Sequence, residues 1–99
     1  LEAGMIPSDE PGLYLTDRYG IRLENLVLCV EKDKNEYGTF LGFEPLTMCP
    51  FDLDAVLPEE LSREEKALLN EYHAAVYEKI SPFLCENGAA WLREATRAI

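Results

Sequence analysis

The segment from Ile21 to Val30 constrains the fold most strongly. From Leu26 onward every residue in it is apolar, so a strand built from these residues has two apolar faces. Such a strand belongs in the middle of a sheet that is covered on both sides. Two further strands, each bounded by turn residues, are predicted at 4–9 and 39–49. We therefore expect residues 21–31 to form the central, covered strand of a small sheet.

The period of the apolar residues changes to that of helices after Pro50. Ser62-Arg63-Glu64-Glu65 matches a capping box, in which the serine and glutamate side chains each accept a hydrogen bond from a backbone N–H of the first turn. Asn87-Gly88 is expected to interrupt the helices. The residues predicted to form apolar helical faces are Leu69, Tyr72, Val76 and Ile80, and then Trp91, Leu92, Ala95 and Ile99.

Strands followed by helices predict an α+β fold. We divide the chain into residues 1–49, which carry the strands, and residues 50–99, a helical extension. The charged run from Lys32 to Glu36, with Gly38 after it, is interpreted as a solvated turn between the second and third predicted strands.

The charge balance narrows the classes of partner. The chain has 19 acidic and 9 basic residues and a net charge of -10. Nucleic-acid phosphates need lysine and arginine, and anionic membranes attract basic surfaces. No apolar run approaches the roughly 20 residues of a membrane span. We therefore expect neither nucleic acid nor a membrane as a partner.

The cysteines suit burial and a reducing compartment. There are three, an odd number, and their positions do not form a disulfide framework. Cys29 lies inside an apolar run and Cys49 ends one, so both are predicted to be in the core.

Two charged residues precede the apolar strand. Strand alternation places Arg22 and Glu24 on one face, together with Leu26 and Leu28. Charges on a covered face need partners, because an unpaired buried ion costs several kcal/mol. One solution is an ion pair between Arg22 and Glu24, and the other is a metal ion held by Glu24. From this strand alone, the ion pair is the preferred interpretation.

A second candidate carboxylate lies at Glu10, directly before the Pro11-Gly12 turn. Strand ends at turns commonly present functional side chains, although a solvent-exposed turn carboxylate is the simpler interpretation in so acidic a chain. The Asp52-x-Asp54 pair is interpreted as a cap and first turn rather than as a ligand pair. His73, the only histidine, is predicted to be a hydrogen-bonded structural residue in a helix.

Two motifs in the first third of the chain resemble the final active-site motifs of the pita-bread metallopeptidases. Residues 8–14 contain the pattern E-P-G-x-Y, and residues 19–25 contain G-I-R-x-E-N, in order and at the expected separation. Residues 39–47, 68–73 and 91–96 resemble the C-terminal tail of the long, cytosolic type of aminopeptidase P. The family often has two tyrosines after E-P-G, where this chain has Leu13-Tyr14.

This resemblance implies a binuclear metal site and reverses the preference for a plain ion pair. By motif position, Glu10 resembles the glutamate that ligates one divalent ion, and Glu24 resembles the one that bridges two, usually manganese. Carboxylate oxygens suit such cations. Glu10 is also a candidate base for the proton of the attacking water, and Arg22 is expected to steady the Glu24 carboxylate.

The resemblance also implies an activity and a set of partners. The expected reaction is removal of the N-terminal residue from peptides with proline second, in the cytoplasm, by a homodimer joined through the helical extension. The family's two aspartates and one histidine have no counterpart here, so we expect an upstream part of the same protein to supply them, and this stretch alone to be inactive. The alternatives are a non-catalytic assembly module and a prolidase-like dipeptidase.

Overall fold

The computed structural model describes all residues from Leu1 to Ile99, which form two compact units. The first unit, Leu1–Thr47, consists of antiparallel strands and turns, and the second, Met48–Ile99, is helical. The predicted α+β fold, with antiparallel strands followed by helices, is confirmed. The division between the units lies two residues before the predicted one at 49/50.

The strands of the first unit form two antiparallel sheets. One sheet has the order β1-β4-β5, and the other is the β2-β3 pair. The strands are β1 (Ser8–Asp9), β2 (Gly12–Leu15), β3 (Tyr19–Arg22), β4 (Asn25–Asn35) and β5 (Gly38–Pro45).

The apolar segment is the central strand of its sheet, as predicted, but its boundaries and cover differ. The expected strand at 21–31 is divided into β3 and β4 by Leu23 and Glu24. Cys29 is the buried residue of β4, whereas Leu26 is 47% exposed. The prediction of a strand covered on both faces is therefore wrong for these 99 residues, because the unit that contains it has only strands and turns.

The predicted charged turn at 32–36 is also wrong. Strand β4 continues to Asn35, and the turn is formed by Glu36 and Tyr37. The side-chain oxygen of Asn35 accepts a hydrogen bond from the Tyr37 N–H at 2.9 Å, which closes this turn. Residues 33–35 pair with β5 after a register shift between Glu31 and Asp33, since solvated side chains on an exposed strand do not prevent backbone pairing.

The second unit begins with two short 3-10 turns and continues as two helices. Asp52 caps the first turn, because its carboxylate accepts a hydrogen bond from the Asp54 N–H at 3.0 Å, as predicted. The capping box of α1 is confirmed by distances of 3.1 Å from Glu65 N to Ser62 Oγ and 2.8 Å from Ser62 N to Glu65 Oε2. The elements are Leu53–Ala55, Pro58–Glu60, α1 (Arg63–Ile80), a 3-10 turn at Ser81–Phe83, and α2 (Glu86–Ala95).

A buried histidine organises the core of this unit. His73 is fully buried, and its Nε2 accepts a hydrogen bond from the Phe51 N–H at 3.0 Å. The rings of Phe51 and Tyr72 pack beside it. The structural role predicted for His73 is confirmed. The other buried side chains of the unit are Leu53, Val76 and Leu92.

Three predictions about side-chain burial and helix limits in this part of the chain are wrong. Trp91 is 65% exposed, because neighbouring residues on a helix point about 100° apart and Leu92 occupies the inward position. Asn87-Gly88 lies in the first turn of α2 and does not interrupt the helix. Cys49 is exposed in the segment before Pro50, whereas Cys29 is buried as expected.

Neither α-helix is apolar over a length that would cross a bilayer.

Candidate metal centre

The two ladders that contain the two motifs share one antiparallel register. The β2-β3 ladder pairs Gly12 with Arg22, and the β1-β4 ladder pairs Ser8 with Leu26. Both ladders have the same register, and a hydrogen bond from Leu23 N to Pro11 O, at 3.0 Å, joins them. The two motifs therefore face each other, with Glu10, Pro11, Leu23 and Glu24 between the two ladders and outside the assigned strands.

Continued across these four residues, the register of the two ladders sets position 10 opposite position 24. Hydrogen-bonded and non-hydrogen-bonded pairs alternate along antiparallel strands. Leu23 donates a hydrogen bond to Pro11 opposite it, so the next pair, positions 10 and 24, is of the non-hydrogen-bonded kind. Opposite residues of that kind project to the same side of the sheet, with Cβ atoms about 4.5–5.5 Å apart. The register thus sets Glu10 and Glu24 opposite each other, although 14 positions separate them in the sequence.

Arg22 lies beside both carboxylates. Its Nε is 3.1 Å from Glu24 Oε2, which forms the predicted ion pair. The Tyr14 hydroxyl as a hydrogen-bond acceptor, followed by the charge of Glu24 and, more weakly, that of Glu10, raises the pKa of the Arg22 guanidinium above its ordinary value. The Glu24 and Arg22 side chains are 42% and 53% exposed, so the arrangement is open to a ligand.

The donor set fits a hard divalent cation. Like charges directly opposite each other on paired strands are destabilising, and a single Arg22 guanidinium offsets only one of the two carboxylates. A cation between Glu10 and Glu24 would remove the remaining repulsion, and carboxylate oxygens are ligands that Mn²⁺ accepts.

The chain supplies only part of such a site. No group of three or more histidine, cysteine, aspartate or glutamate side chains comes together in a way that could hold a metal ion. His73 is not a ligand in this arrangement, because it is buried and bonded to Phe51 in the helical unit. Two carboxylates leave most positions of a binuclear centre for other ligands.

The sequence interpretation missed Tyr14 as a member of this cluster. Tyr14 pairs with Gly20, and Arg22, two positions after Gly20 on the same strand, pairs with Gly12. Paired residues and residues two apart project to the same side of a sheet, so Tyr14 and Arg22 lie on one face of the β2-β3 hairpin. The signal that could have identified this hairpin is Asp17, the turn residue, whose φ of 58° is a conformation that aspartate tolerates better than most residues. With the hairpin assigned, strand alternation would have placed Tyr14 beside Arg22.

A second concave surface lies in the helical unit and has different chemistry. It is a groove of about 360 Å³ between the Pro50–Asp54 segment and α2. Two of its acidic residues are already paired, because Arg97 lies 3.1 Å from Asp54 and 3.5 Å from Glu94. The groove therefore offers no free carboxylate pair comparable to that of Glu10 and Glu24.

The chain resembles known peptidases along its whole length. It is 42% identical over 104 aligned residues to the probable Xaa-Pro aminopeptidase P of Coprinopsis cinerea, covering 100% of this chain and 17% of that protein. It is 45% identical over 98 residues to the probable Xaa-Pro aminopeptidase P of Laccaria bicolor, covering 94% and 15%. The chain spans about a sixth of the length of these relatives.

A solved structure has the same fold. The X-prolyl aminopeptidase of Caenorhabditis elegans, described as a cytosolic enzyme with a di-nuclear active site, matches with a TM-score of 0.83 and 35% identity. The match covers 100% of this chain and 17% of that one. It confirms the prediction that the chain has the fold of the end of a pita-bread peptidase followed by a helical tail.

The family model that matches the chain covers more than half of it. Residues 39–99 match the C-terminal region of peptidase M24, from β5 through the whole helical unit. Together with the structural match, this shows that the chain belongs to the M24 peptidase family and corresponds to its C-terminal region.

Proposed function

We propose that this chain is the C-terminal part of an Xaa-Pro aminopeptidase, a metallopeptidase that removes the N-terminal residue from peptides with proline second. The observation that carries the proposal is the opposition of Glu10 and Glu24 in one strand register, beside Arg22. The names of the relatives and of the solved structure support the substrate class.

In this proposal the two carboxylates have different tasks. Glu24 and Glu10 would both hold divalent ions, most simply Mn²⁺. Bound ions of this kind acidify a shared water and polarise the scissile carbonyl. Glu10 accepts the proton that the attacking water loses, and Arg22 holds the Glu24 carboxylate in a fixed orientation through their 3.1 Å contact.

The proposal requires residues from outside this stretch. The incomplete donor set and the small share of the relatives' length both support an upstream part of the same protein as the source of the remaining ligands. A cytoplasmic location follows by analogy with the cytosolic C. elegans enzyme.

We also propose that the helical unit contributes to a homodimer. Several large apolar side chains on this unit are exposed, including Leu68 on α1 and Trp91 on α2. Paired apolar surfaces of this kind stabilise subunit contacts. The assembly role adds to catalysis in this proposal and does not replace it.

The substrate class can be tested with three peptides and the full-length enzyme that contains this chain. We expect Mn²⁺-dependent release of the first residue from a longer Xaa-Pro peptide, and slow cleavage of a peptide with alanine in place of proline. A free Xaa-Pro dipeptide should also be a poor substrate. Preference for the dipeptide would instead identify a prolidase-like enzyme, and no cleavage of any of the three would refute the peptidase assignment.

A further inference from the structure

The backbone around Glu24 is paired differently on its two sides. On the side of β1 the bonding continues past Glu24, because Leu23 N donates to Pro11 O at 3.0 Å. On the other side the partner strand β5 ends at Pro45, which is paired with Val27. The β4-β5 ladder therefore stops before it reaches Glu24.

The two residues after β5 extend its support of β4 towards Glu24. Leu46 N donates to Leu26 O at 2.8 Å, and Leu26 N donates to Thr47 Oγ1 at 2.9 Å. In a continued ladder, the acceptor for Leu26 N would be the carbonyl of Leu46, the residue opposite it. The Thr47 hydroxyl takes the place of that carbonyl, two residues from Glu24 in the sequence.

A side-chain acceptor at this point has a local effect. The bond between Leu26 N and Thr47 Oγ1 is exposed, so water can replace it, and its net contribution to folding is small. Water does not fix the direction of the strand, however, whereas Thr47 is attached to the end of β5. Loss of the hydroxyl should therefore loosen the start of β4 without unfolding the sheet.

We propose that Thr47 is a positioning residue, which fixes the backbone at Leu26 and thereby the direction in which the Glu24 carboxylate leaves the chain. This inference rests on the proposed function, in which Glu24 is a metal ligand. Removing a group that orients a metal ligand typically lowers metal affinity by 10–100-fold. Thr47 acts through two residues of backbone, so we expect an effect at the lower end of this range, about tenfold.

The first test is Thr47→Val in the full-length enzyme, with metal removed and Mn²⁺ then titrated by calorimetry. Valine keeps the branched shape and removes the hydroxyl, so Mn²⁺ affinity should fall about tenfold, with thermal unfolding of the metal-free protein nearly unchanged. Thr47→Ser keeps the hydroxyl and should bind Mn²⁺ as the wild type does.

Thr39→Val is the matched control for this test. It makes the same change in β5 at a position paired with Lys34, at the far end of the β4-β5 hairpin, and should leave Mn²⁺ affinity unchanged. Equal affinity in Thr47→Val and Thr39→Val would overturn the inference. A loss that Thr47→Ser shares would also overturn it, because the hydroxyl would then not be the cause.

The second test uses the wild-type enzyme and decides the matter if Thr47→Val does not fold. Coupling between two events is reciprocal, so bound Mn²⁺ should stabilise the Thr47 bond by about the same factor of ten. Hydrogen exchange of the Leu26 amide should slow accordingly. The Tyr37 amide is the control, since it also donates to a side-chain oxygen, Asn35 Oδ1, at 2.9 Å, but in the turn at the far end of the hairpin. Equal slowing at Leu26 and Tyr37, or none at Leu26, would refute the role of Thr47.

The proposed function and this inference fail in different ways. If Glu24→Gln binds two Mn²⁺ ions as the wild type does, the metal site itself is misassigned. If Glu24→Gln loses metal while Thr47→Val retains it, the site stands and only the role of Thr47 is wrong.

Discussion

Replacing Glu24 with glutamine in the full-length enzyme should lower kcat/KM for a longer Xaa-Pro peptide by about 10³-fold or more. Loss of an outer partner of a metal ligand typically costs 10–100-fold, and loss of the bridging ligand itself should exceed that. Glutamine keeps the size of the side chain but removes the negative charge that holds two cations. The bound metal, measured by mass spectrometry of the purified protein, should fall from two ions to one or fewer.

The matched control for this substitution is Glu36→Gln. Glu36 loses the same charge but lies in the turn at the far end of the β4-β5 hairpin. It should retain wild-type turnover and metal content. If Glu24→Gln also retained both, the carboxylate at position 24 would not be a ligand, and the enzyme assignment of this chain would lose its chemical basis.

Replacing His73 with leucine should destabilise the helical unit by about 2–3 kcal/mol. Leucine removes the acceptor of the partly buried Phe51 N–H, and a donor left without a partner costs about 1–3 kcal/mol; the substitution also changes the shape of a fully buried side chain. Hydrogen exchange of the α1 amides in the full-length enzyme measures this loss as faster local opening.

The same residue should give the unit a dependence on pH. Burial lowers the pKa of His73, so the folded ring resists a proton that the unfolded chain accepts below about pH 6.5. The unfolded state then binds more protons, and stability present at neutral pH is lost as the pH falls from about 6.5 towards the lowered pKa. Because His73 is the only histidine, no other histidine contributes to this loss.

His73→Gln separates the hydrogen bond from the titration. The glutamine oxygen can replace Nε2 as the acceptor for Phe51 but does not titrate, so this variant should be more stable than His73→Leu and should lack the loss of stability below about pH 6.5. Identical exchange in all three proteins, both at neutral pH and below about pH 6.5, would contradict the structural role of this histidine.

The features that sequence patterns predicted well are those that depend on neighbouring residues. The capping box at Ser62, the cap at Asp52 and the central position of the apolar strand each follow from local hydrogen bonding or composition, and the structure confirms them. Glu10 and Glu24 were identified by motif resemblance. Their opposition across a shared register could not be derived without knowing that β2 and β3 form a hairpin.

The features that were missed depend on tertiary contacts. The orientation of Trp91 depends on which side of α2 packs inward, and Leu92 takes that side. Hairpin pairing keeps residues 32–35 in a strand although their charges resemble a turn. The position of Tyr14 depends on a turn at Asp17 that lacks the glycine usual at a positive φ.

Anomalous X-ray scattering from manganese in crystals of the full-length enzyme tests directly whether Glu10 and Glu24 are metal ligands. We expect two manganese peaks about 3.5–4 Å apart, with the Glu24 carboxylate touching both ions and the Glu10 carboxylate touching one. Manganese bound elsewhere, or a metal pair that neither Glu10 nor Glu24 contacts, would contradict it.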